Sequence, residues 1–472
     1  MPNWVDPSIL PAAFPLAGAL LLAMLRSSLL AAWVAILAAG LALAAACLLP
    51  WQMHEGLFLL VDPLSAHVTI LTAFVGFTTA IYSRRYIAVE LASGRLAEDR
   101  AQQYHALFMG FLGFMLLALL SNNLGVTWVA IEAATICSVL VVGLRDTANA
   151  IEASWKFFLL CGVGIALALF GTVVLYLAAL PALGPGYAAM SWTELARAAP
   201  NCRGELLNLA FVFMLIGYGT KAGLAPLHGW MPDAHAEGPT PVSAVLSGSI
   251  LNVALVVILR LRFVMAANAH AIDPGPPIMA LGLLSILFAA FSLWGRRDVK
   301  RFFAFSTIEQ SGLAAFAIGI GGAAAIFAAL LHITVHTLTK AGLFQAVGRA
   351  AQRRGAQSFA AITGLISSDP ALGLTLAVAI IAVAGMPPFG LFASDMLILG
   401  EAARQHPWLL IPLAIGMLVG FWKLAARLIT LCLGPAGESV GPAISWIDMV
   451  PAWLHLAIVF VLGIAMPTWF AS

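Results

Sequence analysis

Among the ionisable side chains inside runs of apolar residues, seven are candidates for chemistry: Glu132, Lys221, Glu309, His332, His336, Lys340 and Asp395. At the centre of a bilayer each such group costs about 2.5–3.5 kcal/mol on insertion scales, and groups retained there are characteristically functional. His332, His336 and Lys340 recur at every fourth position. On a helix that spacing puts two imidazoles and an ammonium on one face. A lysine in low dielectric exchanges its proton as a carboxylate partner approaches or leaves, because burial favours the neutral amine and a nearby anion favours the ammonium. Histidines add groups that titrate near neutral pH. The set therefore points to a hydrated proton relay. A P-loop, a Rossmann fingerprint, a nucleophile elbow and a haem motif are all absent, so no catalytic or cofactor-binding residue is assigned and no cofactor is expected in this chain.

These groups need elements that carry them across a membrane. Of the 472 residues, 62% are hydrophobic and 9% charged, where soluble domains carry about 25% charged residues. Mean hydropathy is +0.99. Those values exclude a soluble globular domain, and the net charge of +2 without a basic or acidic block excludes a nucleic-acid partner. Apolar runs of about 20 residues, the length that crosses a bilayer, predict an all-α polytopic protein with about fourteen transmembrane helices. They fall near 8–25, 29–50, 63–83, 104–121, 124–144, 155–180, 205–226, 241–261, 276–294, 300–320, 322–348, 371–399, 408–432 and 451–470. The first run follows no basic residue and is read as a membrane span, not as a cleaved leader.

Arg197, Arg203, Arg260, Arg262 and Arg404 fall on one side of this threading and Lys221, Lys340 and Lys423 within runs, leaving fifteen of the 23 Lys and Arg on the other side, Arg26 and Lys300 among them. By the positive-inside rule both termini are expected on the outer, periplasmic side of the cell inner membrane. The seventh and twelfth runs carry helix breakers, at Lys221 to Pro226 and at "GMPPFG", Gly385 to Gly390. Matching broken spans five helices apart predict two inverted five-helix repeats. Helices 1–3 then occupy 1–103, the first repeat (helices 4–8) 104–264, the second (helices 9–13) 276–432, and helix 14 lies in 433–472.

Other polar features read as structural. Of Cys47, Cys137, Cys161, Cys202 and Cys432, only Cys202 leaves an apolar run and none has metal spacing, so neither a disulfide framework nor a metal site is expected. "HGWMPDAHAEGPTP" holds His228, Asp233, His235 and Glu237, but its Pro and Gly content reads as a loop between helices seven and eight. Lys423 and Arg427, one turn apart near a span end, read as snorkeling or partner contacts.

The segments "GYGTKAGLAPLHGWMPDAHAEGPTPVSAVLSG" (Gly217 to Gly248), "DVKRFFAFSTIEQSG" (Asp298 to Gly312) and "HITVHTLTKAGLF" (His332 to Phe344) resemble the antiporter-like subunits of respiratory complex I. That family includes Mrp cation/proton antiporter subunits and the membrane arms of energy-converting hydrogenases. The resemblance covers about Leu57 to Phe421. It implies that Glu132 is the helix-five glutamate and Lys221 its lysine partner. It also makes Lys340 the helix-eleven lysine, with His332 and His336 leading to it, and Asp395 the acidic residue at the exit. Three features resemble the hydrogenase-4 component F branch: Ser247 and Asn252 in helix eight, where complex I subunits tend to offer His or Lys; Glu309, where they more often have an uncharged residue; and a chain that ends soon after the fourteenth span.

The expected function is proton translocation as an antiporter-like membrane subunit of a hydrogenase-4 or formate-hydrogenlyase-type complex, driven by redox chemistry elsewhere. Partners would be other membrane and hydrophilic subunits and the lipid bilayer, with H⁺ as the ion and Na⁺ as the alternative. Opening of the Glu132–Lys221 pair would shift a proton toward Glu309, His336 and Lys340, and Asp395 would exchange it with the outer side. With neither Ser247 nor Asn252 able to titrate, helix eight would need bridging water. The alternatives are a complex I or Mrp subunit, the membrane subunit of a bicarbonate-accumulating complex, and a non-conducting scaffold.

Overall fold

A computed structural model of the protein describes residues 6–25 and 27–465. Arg26, the last residues of the expected helix 451–470 and the outermost termini lie outside the described residues. In chain order the helices are α1 (Leu10–Met24), α2 (Ser28–Cys47), α3 (Pro63–Ala92), α4 (Glu98–Leu120), α5 (Leu124–Val142), α6 (Ala148–Leu183), α7 (Trp192–Ala198), α8 (Gly204–Lys221), α9 (Met231–Glu237) and α10 (Thr240–Val245). They continue with α11 (Leu251–Ala266), α12 (Gly275–Ser292), α13 (Val299–Ile320), α14 (Gly322–Arg354), α15 (Leu365–Ser368), α16 (Pro370–Val383), α17 (Gly390–Gln405), α18 (Leu410–Leu428) and α19 (Trp446–Ile464). A two-residue antiparallel ribbon pairs β1 (His54–Glu55) with β2 (Leu60–Val61). A π-helical turn at Leu246–Ile250 joins α10 to α11 in a single span, Thr240–Ala266.

Twelve helices among the described residues are long and apolar enough to cross a membrane. Two expected spans are not among them. The seventh ends as α8 at Lys221, and the twelfth splits into α16 and α17. The protein is therefore an all-α polytopic membrane protein, with its irregular spans where the breakers are. Each break carries a glycine with positive φ, Gly223 at 70° and Gly385 at 69°, and each contains a cis X-Pro bond, Ala225-Pro226 and Pro387-Pro388.

Several boundaries differ from the expectation. The third helix runs on to Ala92, the sixth begins at Ala148, and the eleventh reaches Arg354. Charged residues that read as ends are good helix formers, and the stops come instead at Gly94 (φ 68°) and Gly355 (φ 66°). Thr147 caps the sixth helix by accepting from the Ala150 N–H. The last helix starts at Trp446, before its Pro451, because Ser445 and Asp448 form a reciprocal capping box. Residues 231–237, read as loop, form α9, with Pro232 in its first turn and Gly238 at its C-cap. Lys300, read as a loop residue, is fully buried in the first turn of α13 and donates to Ala236 O at 2.9 Å and Gly238 O at 2.7 Å.

The chain forms two compact units, each assembled from separate stretches. The first takes the described residues up to Ala80, with Gly94–Gly223 and Ser249–Pro274. In it α6 lies along α8, α1 and α5 pack on α4, and α5 packs on α6. The α6–α8 contact is made through small residues, as helices in lipid require for close approach: a Cβ on Gly217 would stand 2.6 Å from the Ala168 Cβ, and one on Gly171 2.6 Å from Met214 Cγ. Arg260 grips both Asp62 carboxylate oxygens, at 3.0 and 2.8 Å.

The second unit takes Ile81–Ser93, Leu224–Gly248 and the described residues from Gly275 onward. The long α14 is surrounded by α10, α13, α16, α17 and α19. Every residue of α13 except Arg301 is buried. α12 reaches α13 through Gly282 and Gly312, each within 2.7 Å of the other's backbone once a Cβ is placed on either. Side chains satisfy the backbone at one break: the Ala225 N–H donates to Ser285 Oγ at 2.8 Å. At the other, Gly463 of α19 lies directly over the Pro388 carbonyl, where a Cβ would collide with it.

That contact yields a test of the break. Gly463→Ala is expected to lower thermal stability by about 1–3 kcal/mol through overpacking. Gly400→Ala, in open space within α17, is expected to be neutral or stabilising by about 1 kcal/mol. Thermal unfolding of the purified protein in detergent reads both. Equal stability of the two variants would show that α19 does not brace the break.

Candidate functional site: buried ionisable groups in the two units

In the first unit α8 and α5 bring Lys221 and Glu132 together. Lys221 is the last residue of α8, with 1% of its surface exposed. Its ammonium donates to Thr135 Oγ1 at 2.7 Å and to Glu132 Oε2 at 3.3 Å. The Thr135 hydroxyl in turn donates a hydrogen bond to the Ile131 carbonyl, 2.8 Å away, within α5. Glu132 and Thr135 are three residues apart, so one face of α5 offers a carboxylate and a hydroxyl to one ammonium. Cys161 of α6 lies fully buried within electrostatic range of the same pair. Composition identified Glu132 and Lys221, whereas Thr135 carries no sequence signal beyond its spacing.

The other five candidates gather in the second unit. Lys340, with no exposed surface, points from α14 to α13 and donates to Phe303 O at 3.0 Å and Ser306 Oγ at 2.9 Å. Both partners are neutral, so this ammonium has solvation but no directly bonded counter-ion. Glu309, one turn beyond Ser306, is 2% exposed and its Oε2 has no partner. Its other oxygen packs on Gly420 of α18, where any side chain would collide with the carboxylate. The absence of a Cβ at position 420 thus makes room for an acid inside the bundle, a role that sequence reading missed.

On α14, the His336 and His332 rings stack with centroids 6.1 Å apart and planes 10° from parallel. Nε2 of His336 has no partner. His332 Nε2 faces the Gln310 carbonyl at 3.1 Å, which can only accept, so that nitrogen carries a hydrogen. Its Nδ1 lies 3.1 Å from Ser394 Oγ and 3.3 Å from Asp395 Oδ1. The carboxylate contact has ion-pair distance but lacks hydrogen-bond alignment. The Ser394 hydroxyl can donate to Leu391 O at 2.9 Å. With that donation in place, the hydroxyl oxygen and the Asp395 carboxyl both face Nδ1.

Asp395 stands against the break: a Cβ on Gly385 would lie 2.7 Å from its Oδ2. A cavity of about 280 Å³ joins Asp395, Gln310 and Glu309 along walls of Leu313, Val383 and Phe392. It is polar enough at one side and roomy enough to hold several waters, each taking about 30 Å³. His332, His336 and Lys340 thus follow one another along α14, with Glu309 of α13 within electrostatic reach of Lys340 and of Asp395. Ser247, the candidate for helix eight, donates from the π turn to Ala244 O of α10 at 3.2 Å.

The four residues of the apparent metal motif turn to an arginine and two aromatic rings. Asp233 and Glu237 pair with Arg301 at 3.1 and 3.6 Å, His228 lies on Phe288, and His235 stacks on Phe344. Lys423 and Arg427 make cation–π contacts, with Lys423 Nζ 3.2 Å from the Trp294 ring centroid and Arg427 3.9 Å from that of Phe359.

The Glu132–Lys221 pair has an asymmetric cost. Glu132→Ala strands an ammonium at 1% exposure and is expected to destabilise by about 3 kcal/mol. Lys221→Met should cost less, because the Glu132 side chain is 20% exposed and keeps water contact. The double variant should recover part of the loss. Thermal unfolding of the four proteins forms the cycle, and strictly additive losses would show the two groups to be uncoupled.

Comparisons with known proteins agree with this architecture. Residues 121–420 match the family model described as NADH:quinone oxidoreductase/Mrp antiporter, TM. A relative from Methylacidiphilum infernorum (isolate V4), named hydrogenase-4 component F homolog, is 47% identical over 456 residues, covering 96% of this chain and 95% of that protein. A chain of the membrane-bound sulfane sulfur reductase, an archaeal respiratory membrane complex, superposes with a TM-score of 0.87 at 21% identity, covering 98% of this chain and 95% of that one. A chain of respiratory complex I from Thermus thermophilus superposes at 0.80 with 24% identity and 99% coverage of each. At those identities the two structures speak for the fold alone. By the match across most of its length and the high identity to a full-length relative, the chain belongs to the NADH:quinone oxidoreductase/Mrp antiporter family of membrane proteins.

Proposed function

We propose that the chain is the proton-translocating, antiporter-like subunit of a hydrogenase-4 or formate-hydrogenlyase-type membrane complex, in which redox chemistry in other subunits drives charge movement here. The observation that carries this reading is the continuous line of buried groups Lys340, Glu309, His336, His332 and Asp395, ending on a cavity at a helix break. A scaffold needs none of them, and each is expensive in lipid. The branch is supported by the 47% identity to a hydrogenase-4 component F homolog. Partners are the other membrane and hydrophilic subunits of that complex.

In this mechanism the Glu132–Lys221 pair is the switch. Separation of the carboxylate leaves a desolvated ammonium that releases its proton more readily, and return of the carboxylate favours its recapture. The second unit is the conductor. Lys340 exchanges with Glu309 and His336 across buried water, His332 passes the proton over its two ring nitrogens, and Asp395 exchanges it at the break. Because Ser306 and the Phe303 carbonyl solvate either form of Lys340, its deprotonation does not strand a buried charge. The chain resides in the inner membrane with both termini outside, a placement supported by its fifteen-to-five Lys and Arg bias. The two broken spans with their positive-φ glycines support a division into inverted repeats at 104–264 and 276–432, flanked by 1–103 and 433–472.

The test uses the purified complex in proteoliposomes, with a pH-sensitive dye and redox turnover recorded together. Lys221→Ala and Lys340→Ala are expected to assemble and to move protons at least about tenfold more slowly than wild type. Wild-type pumping by both assembled variants would overturn the relay and leave the scaffold reading standing.

A further inference from the structure

The line of titratable groups in the second unit does not stop at Lys340. One turn further along α14, Phe344 stacks on the imidazole of His235 from α9, with centroids 4.9 Å apart and planes 9° from parallel. His235 has no exposed surface, and neither of its ring nitrogens has a partner. Nearly all buried polar atoms are bonded, and an orphaned one costs about 1–3 kcal/mol. A histidine kept for packing alone brings two such atoms where Phe or Leu would bring none.

Its surroundings are ionic. The ring lies within electrostatic reach of both Lys300 on α13 and Lys340 on α14. Lys300 is fully buried and bonded to the carbonyls of Ala236 and Gly238, the residues at the end of the histidine's own helix. The acids of that helix, Asp233 and Glu237, turn to Arg301 at 3.1 and 3.6 Å. Ser243 Oγ donates to the His235 backbone carbonyl at 3.3 Å. The backbone and acids of α9 are thus tied down on several sides, while the one imidazole it carries is left with both nitrogens open. On α13, Lys300 stands three residues before Phe303, whose carbonyl Lys340 binds, so the two lysines meet α13 about one turn apart.

We propose that His235 is the proton-loading group of Lys340. It takes a proton from water at the Lys300 end of α13 on one ring nitrogen and releases the proton of the other nitrogen, through water beside Phe344, to the neutral Lys340 amine. One N–H bond forms on the ring as the other breaks, so the imidazole ends neutral in the opposite tautomer, and a ring flip resets it. With Lys340 neutral, the Lys300 ammonium within electrostatic reach makes the imidazolium a carrier rather than a resting state. This inference rests on the proton-conducting reading above and adds the intake side to it.

The experiment compares His235→Phe, His235→Ala, His235→Gln and Lys340→Ala in the complete complex in proteoliposomes. His235→Phe keeps the aromatic stack on Phe344 and removes both nitrogens, so it should assemble, with proton movement per turnover lowered about tenfold. His235→Ala should be similarly slow and should recover with added imidazole, whereas Lys340→Ala should not recover. Wild-type pumping by assembled His235→Phe while Lys340→Ala is inactive would overturn the assignment of His235 and leave the function standing. Full pumping by His235→Gln, whose amide does not titrate, would overturn it equally. Wild-type pumping by Lys340→Ala would remove the wider reading instead.

Discussion

The ammonium of Lys340 between the Phe303 carbonyl and the Ser306 hydroxyl, 3.0 and 2.9 Å away, is the interaction on which the second unit depends. A buried cation is tolerated only where donors and acceptors are matched, and here the match is made by neutral groups on a neighbouring helix. That choice has a chemical consequence. A carboxylate bonded directly to the lysine would hold its proton strongly, whereas a carbonyl and a hydroxyl solvate the charged form and still allow the neutral one. Glu309 stays one turn away with an unpartnered oxygen, close enough to influence the charge without bonding to it.

The two lysines are thereby set up differently. Lys221 has a carboxylate and a hydroxyl within reach from the same face of α5. Lys340 has only neutral partners and a row of histidines on its own helix. A bonded acid can act as a switch because moving it changes the cost of the charge; a row of neutral groups suits transit, since no station holds the proton for long. The helix breaks belong to the same logic. Unwound backbone in lipid must find partners inside the protein, and Ser285 at one break and the turn hydrogen bonds at the other supply them. The second break presents Gly385 to Asp395 with no Cβ between them.

Much of this was legible in the residues. In a chain with 9% charge the few ionisable side chains in apolar runs are conspicuous, which is how the seven candidates were named, and the every-fourth spacing on α14 put three of them on one face. Pro and Gly marked both breaks because they interrupt a helix through local sterics. Ends were less legible where charged residues continued a helix, as at Arg349–Arg354, whose burial depends on distant partners such as Asp448 and the Gly437 carbonyl. His235 was read as part of a loop because Pro and Gly surround it.

The sequence alone determined the membrane class, the apolar runs, the places where they break and the identity of the groups costly enough to matter in lipid, because each of these follows from composition and local steric rules. Only the tertiary structure decided which groups meet. Thr135 at Lys221, Ser306 at Lys340, Gly420 under Glu309 and Phe344 on His235 are pairings between helices distant in sequence or carried by residues without charge. Their side chains are ordinary in composition, and they acquire a role only from the angle and distance at which the helices pack.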